Sequence, residues 1–201
     1  MFWFLLAAHS AAPQSGLDFL LKGNYVPESL LEENKPYRVS FALTANPDGR
    51  VERCDIESSS GDARVDLYTC QLLRRRAKFS PEVLPDGRRS YLVYRSNVSW
   101  WVGGGYPPKS PAPVDLSLAV SALPAGIRSP YSLLVKFQVD AAGKVSDCRP
   151  QAPKSPVTLA KIACEQIANN FALGPARTAG GEPVASVQYA TVRFESDPKG
   201  P

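Results

Sequence analysis

Apolar and polar residues alternate with a period of two at two widely separated places in the chain. Val39, Phe41 and Leu43 interleave with Arg38, Ser40 and Thr44, while Leu133, Val135, Phe137 and Val139 interleave with Lys136 and Gln138. This is the pattern of a strand with one face buried. A turn follows each run, Asn46-Pro47-Asp48-Gly49 in one case and Asp140-Ala141-Ala142-Gly143 in the other, and its glycine supplies the left-handed residue a hairpin needs. Short second strands are predicted from Val51 to Ile56 and from Val145 to Cys148. The period then becomes helical. Leu67, Cys70, Leu73 and Ala77 fall on one face of the first predicted helix, and Ile162 or Ala163, Cys164, Ile167 and Phe171 on the equivalent face of the second. Asp62 is a candidate N-cap for the first, and Ser155 followed by Pro156 a cap and first-turn pair for the second. Pro81 and Pro175 stop both helices. A closing strand is predicted from Tyr91 to Val102, with Leu92, Tyr94, Val98, Trp100 and Val102 on one face and Arg95, Asn97 and Ser99 on the other. Its counterpart runs from Ala185 to Phe194.

The two sets of elements are related by a constant offset. Cys148 follows Cys54 by 94 residues, and Cys164 follows Cys70 by the same 94. The shift also carries Pro36-Tyr37 onto Pro130-Tyr131, Gly49-Arg50-Val51 onto Gly143-Lys144-Val145, Pro81 onto Pro175 and Gly87 onto Gly181, without a gap. An internal duplication is the direct reading. Between the copies lies Gly103-Gly104-Gly105 and a proline-rich run to Pro113, a semi-rigid linker by composition. The expected fold class is α+β, with two tandem modules, each a three-stranded antiparallel sheet packed on a helix (β-β-α-β). The expected organisation is a leader over 1–12, a first domain over 13–102, a linker over 103–117, a second domain over 118–195 and a tail over 196–201.

Composition narrows the functional classes. The 201 residues carry 23 basic and 19 acidic side chains, a net charge of +4 that lacks the dense basic face expected of a nucleic-acid binder. Met1 to Ala12 form a short apolar run followed by Ala8-His9-Ser10, a small-x-small site of the kind that ends a signal peptide, so export to the periplasm is expected. The run is too short to span a bilayer, which takes about 20 residues. Membrane association would need an anchor upstream. His9, in this leader, is the only histidine. Without it the chain has no imidazole base, no Ser-His or Cys-His pair and no histidine metal ligand, and neither catalysis nor a cofactor is expected. Asp48, Asp55, Asp62, Asp66 and Asp86 are read as solvated turn or surface carboxylates. The run Arg74-Arg75-Arg76-Ala77-Lys78 closes the first helix, where cations complement the macrodipole; a site for an acidic partner is the alternative. Asn97-Val98-Ser99 is a chance sequon within a predicted strand.

Four cysteines allow three connectivities. They lack the close C-x₂₋₄-C spacing of structural zinc sites, so no metal is expected. The repeat symmetry singles out Cys54 with Cys70 and Cys148 with Cys164; reduced thiols in the core are the alternative.

The first copy reads in order Val39-x-Phe41, Asp48-Gly49-Arg50-Val51, Ser59-Ser60-Gly61 with Asp66, Leu73 through Lys78-Phe79-Ser80-Pro81, Gly87, and Val98-x-Trp100. This order resembles the C-terminal domain family of the energy transducer TonB over about residues 24 to 102. The second copy, about 118 to 195, keeps Gly143, Val145, Leu173-x-Pro175, Gly181 and the closing strand. The resemblance implies a non-enzymatic protein that binds outer-membrane receptors or other envelope proteins by strand addition at a sheet edge, in the service of energy-dependent transport. It places that edge at Tyr94, Arg95, Ser96, Asn97 and Val98, and at Gln188, Tyr189, Ala190, Thr191 and Val192. It implies a protein partner, with no nucleic acid and no small-molecule substrate. The competing expectation is a self-contained structural or scaffold protein of the periplasm, whose two copies pair edge to edge as a pseudo-dimer.

Overall fold

The computed structural model describes residues 30–31, 35–84, 86–100, 114–170 and 174–196. The expected leader, the Gly/Pro run over 103–113, Val102, Phe171 and residues 197–201 lie outside them.

The described residues form a mixed α+β structure with one large, mostly antiparallel sheet and two helices. β1 (Tyr37–Ala45) and β2 (Val51–Ser58) make the first hairpin. α1 (Ala63–Arg76) follows, then β3 (Glu82–Val83) and β4 (Arg89–Trp100). β5 (Leu116–Val120) precedes a second hairpin of β6 (Tyr131–Val139) and β7 (Val145–Pro150). Then come α2 (Val157–Asn170), a small hairpin of β8 (Ala176–Arg177) and β9 (Pro183–Val184), and β10 (Ser186–Ser196). No helix among the described residues is long and apolar enough to cross a membrane.

Two separate three-stranded sheets were the expectation, and the strands instead run as a single sheet in the order β2-β1-β4-β10-β6-β7. The join is a short parallel ladder between the closing strands, Tyr91 with Ser186, Leu92 with Val187 and Val93 with Gln188. The physical reason lies in β10. Residues 186–190 are buried without interruption, which is the signature of an interior strand covered on both faces. Val187 and Tyr189 pack into the core under α1, whereas Ala190, Val192 and Phe194 pack into the core under α2. Because side chains alternate along a strand, the two helices cover opposite faces of the sheet.

Local chemistry follows the predictions in part. Asp62 caps α1, its carboxylate accepting from the Arg64 N–H at 2.8 Å. Gly49 and Gly143 take positive φ in their turns. The predicted α1 face holds at Leu73 and Ala77, both buried, and at Cys70, bonded to Cys54, but fails at Leu67. Leu67 is 61% exposed, and the buried residues are Val65, Asp66, Thr69, Leu72 and Leu73. Thr69 wins its place by chemistry: its hydroxyl donates to the Val65 carbonyl at 2.7 Å and accepts from Trp100 Nε1 at 2.8 Å. Asp66 is likewise buried, not solvated. It accepts from the Ser59 hydroxyl at 2.5 Å and the Ser60 N–H at 2.9 Å. Burial pushes its carboxyl up, but the serine hydrogen bonds outweigh that and leave it below the ordinary aspartate value. Ser155 does not cap α2, since its hydroxyl donates to the Ala152 carbonyl and the helix begins at Val157.

Candidate functional site at the strand seam

Both predicted cysteine pairs are bonded. Cys54–Cys70 and Cys148–Cys164 each have their Cα atoms 5.6 Å apart, and each ties the second strand of a hairpin to the following helix. Among the described residues no group of three or more His, Cys, Asp or Glu side chains is placed to hold a metal.

The edge expected at Gln188–Val192 is not an edge. One flank of β10 pairs with β6 throughout, from Ser186 with Val139 to Phe194 with Tyr131. The other flank takes β4 at Ser186–Gln188 and β5 at Val192–Ser196. Between these ladders, the Thr191 N–H donates to Asp115 Oδ2 at 2.7 Å and the Asp115 N–H to the Thr191 carbonyl at 3.0 Å. Burial raises the Asp115 carboxyl above its usual value, against the lowering effects of this hydrogen bond and of Arg95. The strand that a partner was expected to add is supplied by the chain itself. Part of β5, Leu116 and Ser117, falls where a linker was expected. Its signal was visible, because Leu116, Leu118 and Val120 alternate with Ser117 and Ala119, but the adjoining prolines concealed it.

At Tyr94–Val98 the arrangement differs. This stretch pairs with β1, Tyr94 with Leu43 through Val98 with Val39, while the ladder to β10 ends at Val93. Tyr94 and Val98 belong to the core beneath α1, and the Tyr94 ring lies 5.4 Å from that of Phe79. Arg95 points to the other face, donating from Nε to Glu57 at 2.9 Å and from Nη1 to Gln188 Oε1 at 3.1 Å. Ser96 and Asn97 sit opposite Phe41 and Ser40.

Short arms that sequence reasoning missed lock the seam. The arm after α1 carries Glu82 over the second half, where its carboxylate accepts from the Tyr189 hydroxyl at 2.6 Å and from Lys136 Nζ at 2.5 Å. Lys136 and Tyr189 lie on the face opposite α2. The β8–β9 arm crosses the other way, and Ala176 and Val184 pack on Ala42 and Val93, on the face opposite α1. Each arm therefore covers the helix-free face of the other half.

Comparison with protein-family models, curated proteins and solved structures gives no match to the chain.

Proposed function

We propose that this chain is an exported, disulfide-stapled scaffold protein of the periplasm, in which two TonB C-terminal-like β-β-α-β halves are closed on one another as an internal pseudo-dimer. The observation that carries this reading is the occupied second flank of β10, shared between β4 and β5. A receptor strand would have to displace both, together with the arms that cover the seam. The two disulfides fit an oxidising compartment. The role is binding or support, not catalysis or the transmission of force.

Receptor docking coupled to transport is the second reading, and the end of the β4–β10 ladder at Val93 is what favours it. It would use Tyr94–Val98 alone. Amide exchange on the intact oxidised chain, with and without extended receptor-type peptides, separates the two. The scaffold reading expects Gln188–Val192 to exchange only through global unfolding and no peptide to bind saturably. Saturable binding that Ser96→Pro abolishes would establish docking instead.

A further inference from the structure

The 94-residue offset relates the corner filled by Glu82 to a second corner that is built differently. Glu82 corresponds to Ala176, Lys136 to Ala42 and Tyr189 to Arg95. Even the flanking ion pair is kept with its signs reversed, Asp147–Arg149 beside the first corner and Arg53–Asp55 beside the second. The first corner is filled by its own carboxylate. In the second, two alanines replace the glutamate and its lysine, and a cavity of about 130 Å³ results, lined among others by Arg53, Arg95, Arg177, Asp55, Thr44 and Gln188.

The polar walls of this cavity are fixed. Gln188 is fully buried and is held through Nε2 by Ser186 Oγ at 3.1 Å, so that its Oε1 accepts from Arg95. Arg53 is clamped by Asp55 through two hydrogen bonds of 2.6 and 2.7 Å. Arg177 is turned back to the Gly181 carbonyl at 2.8 Å. Three guanidiniums line the cavity against the single lining carboxylate of Asp55, while Glu57 and Asp115 act on Arg95 from outside the lining. The excess of guanidiniums over carboxylates in the lining itself suits a small anion, and guanidinium forks match the geometry of a carboxylate.

From this geometry we infer that the corner between Ala176 and Arg95 is a binding site for a small carboxylate, which takes the place that the Glu82 side chain fills at the related corner. The inference goes beyond the scaffold reading and holds whether or not the chain docks a receptor. Two sources share the chemistry: a free short-chain carboxylic acid, or the C-terminal carboxylate of a peptide.

The test is a titration of the intact oxidised chain with sodium acetate, followed by ¹H–¹⁵N shifts of the Arg95, Arg177 and Gln188 side chains, at constant ionic strength against chloride. Saturable shifts confined to this corner are expected. Arg177→Gln should weaken binding at least about tenfold, the loss of one charge-assisted hydrogen bond. Ala176→Glu should abolish it by supplying the carboxylate internally. A short peptide with a free C-terminus and its C-terminal amide distinguish the sources: a free-acid peptide that binds more tightly than acetate identifies a chain terminus, and equal or weaker binding identifies a free acid. Shifts no different from those in chloride, or a response unchanged in Arg177→Gln, would overturn the assignment. Because Arg177 is exposed, that variant serves even if Ala176→Glu fails to fold.

Discussion

The Tyr189 hydroxyl donates a 2.6 Å hydrogen bond to Oε1 of Glu82, 107 residues earlier in the chain. The contact ties the arm of one half to the strand of the other, and Lys136 completes it from β6. Glu82 is 2% exposed, and its buried carboxylate oxygens are each matched by one of these partners. Glu82→Ala would leave Lys136 without its carboxylate and Tyr189 without its acceptor. The expected cost is about 3 kcal/mol, the low end for breaking a buried pair, because Lys136 keeps some contact with water. Urea unfolding of the variant and the parent measures it; a change under about 0.5 kcal/mol, the range of ordinary surface substitutions, would mean the cluster does not hold the seam.

The same contact sets a pH dependence. Burial, then the Glu82 hydrogen bond and charge, raise the Tyr189 phenol above its ordinary value of 10.0. A group whose pKa is raised by folding contributes stability that is intact below the unfolded pKa and is lost as pH rises beyond it. Stability should therefore fall above about pH 10, by up to about 1.4 kcal/mol per pH unit from this tyrosine. Tyr189→Phe is expected to start less stable at pH 8 and to decline less steeply from pH 10 to 11. Parallel declines for the two proteins would show that Tyr189 ionises freely in the folded state.

Much of the architecture was legible because its signals are local. Alternation announced β1 and β6, the 94-residue offset paired the cysteines, and Asp62 announced a cap. What was illegible depends on contacts distant in sequence. Nothing local in Glu82 or Ala176 says that a two-residue strand will cross onto the other half. Thr69 reads as a polar helix position until Trp100, 31 residues later, is brought to its hydroxyl. At the seam a signal existed: Val187, Tyr189, Ala190 and Val192 are apolar or aromatic on both faces of one strand, which an open edge would not tolerate.

Gly49 is constrained more tightly than the turn glycines Gly61, Gly87, Gly126 and Gly181. Its φ is +79°, and a Cβ there would lie 1.9 Å from the Phe79 carbonyl oxygen, while its own carbonyl accepts from the Phe79 N–H at 2.9 Å. At Gly181 φ is +88°, but a Cβ would meet nothing within 4 Å. Gly181→Ala should cost only backbone strain, about 1 kcal/mol, and Gly49→Ala that strain plus displacement of the segment after α1, roughly 3 kcal/mol or more. Thermal unfolding of the two variants ranks them, and equal losses would show that the turn moves freely away from Phe79.

Thr69 and Trp100 offer a test of polar satisfaction inside the first core. Thr69→Val keeps the shape but removes the acceptor of the indole N–H, with an expected cost of about 1–3 kcal/mol. Thr69→Ser keeps the oxygen and loses one methyl, about 1 kcal/mol. Urea midpoints should therefore place the serine variant above the valine variant. The reverse order would mean that hydrophobic filling outweighs the hydrogen bond at this position.

The disulfides close loops of equal length, 16 residues from cysteine to cysteine in each half. On the chain-entropy account each constrains the unfolded chain by about 3 kcal/mol, so Cys54→Ala with Cys70→Ala, and Cys148→Ala with Cys164→Ala, should lose similar amounts. The two halves share a sheet, however, and the arms make each seam face depend on the other half. Unfolding should therefore remain a single transition in both variants, with its midpoint lowered, and should not split into one stable and one labile half. Urea titration followed by tryptophan fluorescence and by far-UV circular dichroism checks this. With Trp3 and Trp101 replaced by Phe, Trp100 reports the first half, whereas the dichroism reports both, so coincident curves are expected. Curves that separate when only the Cys148–Cys164 pair is removed would show that the halves fold independently and that the β4–β10 ladder contributes little to their union.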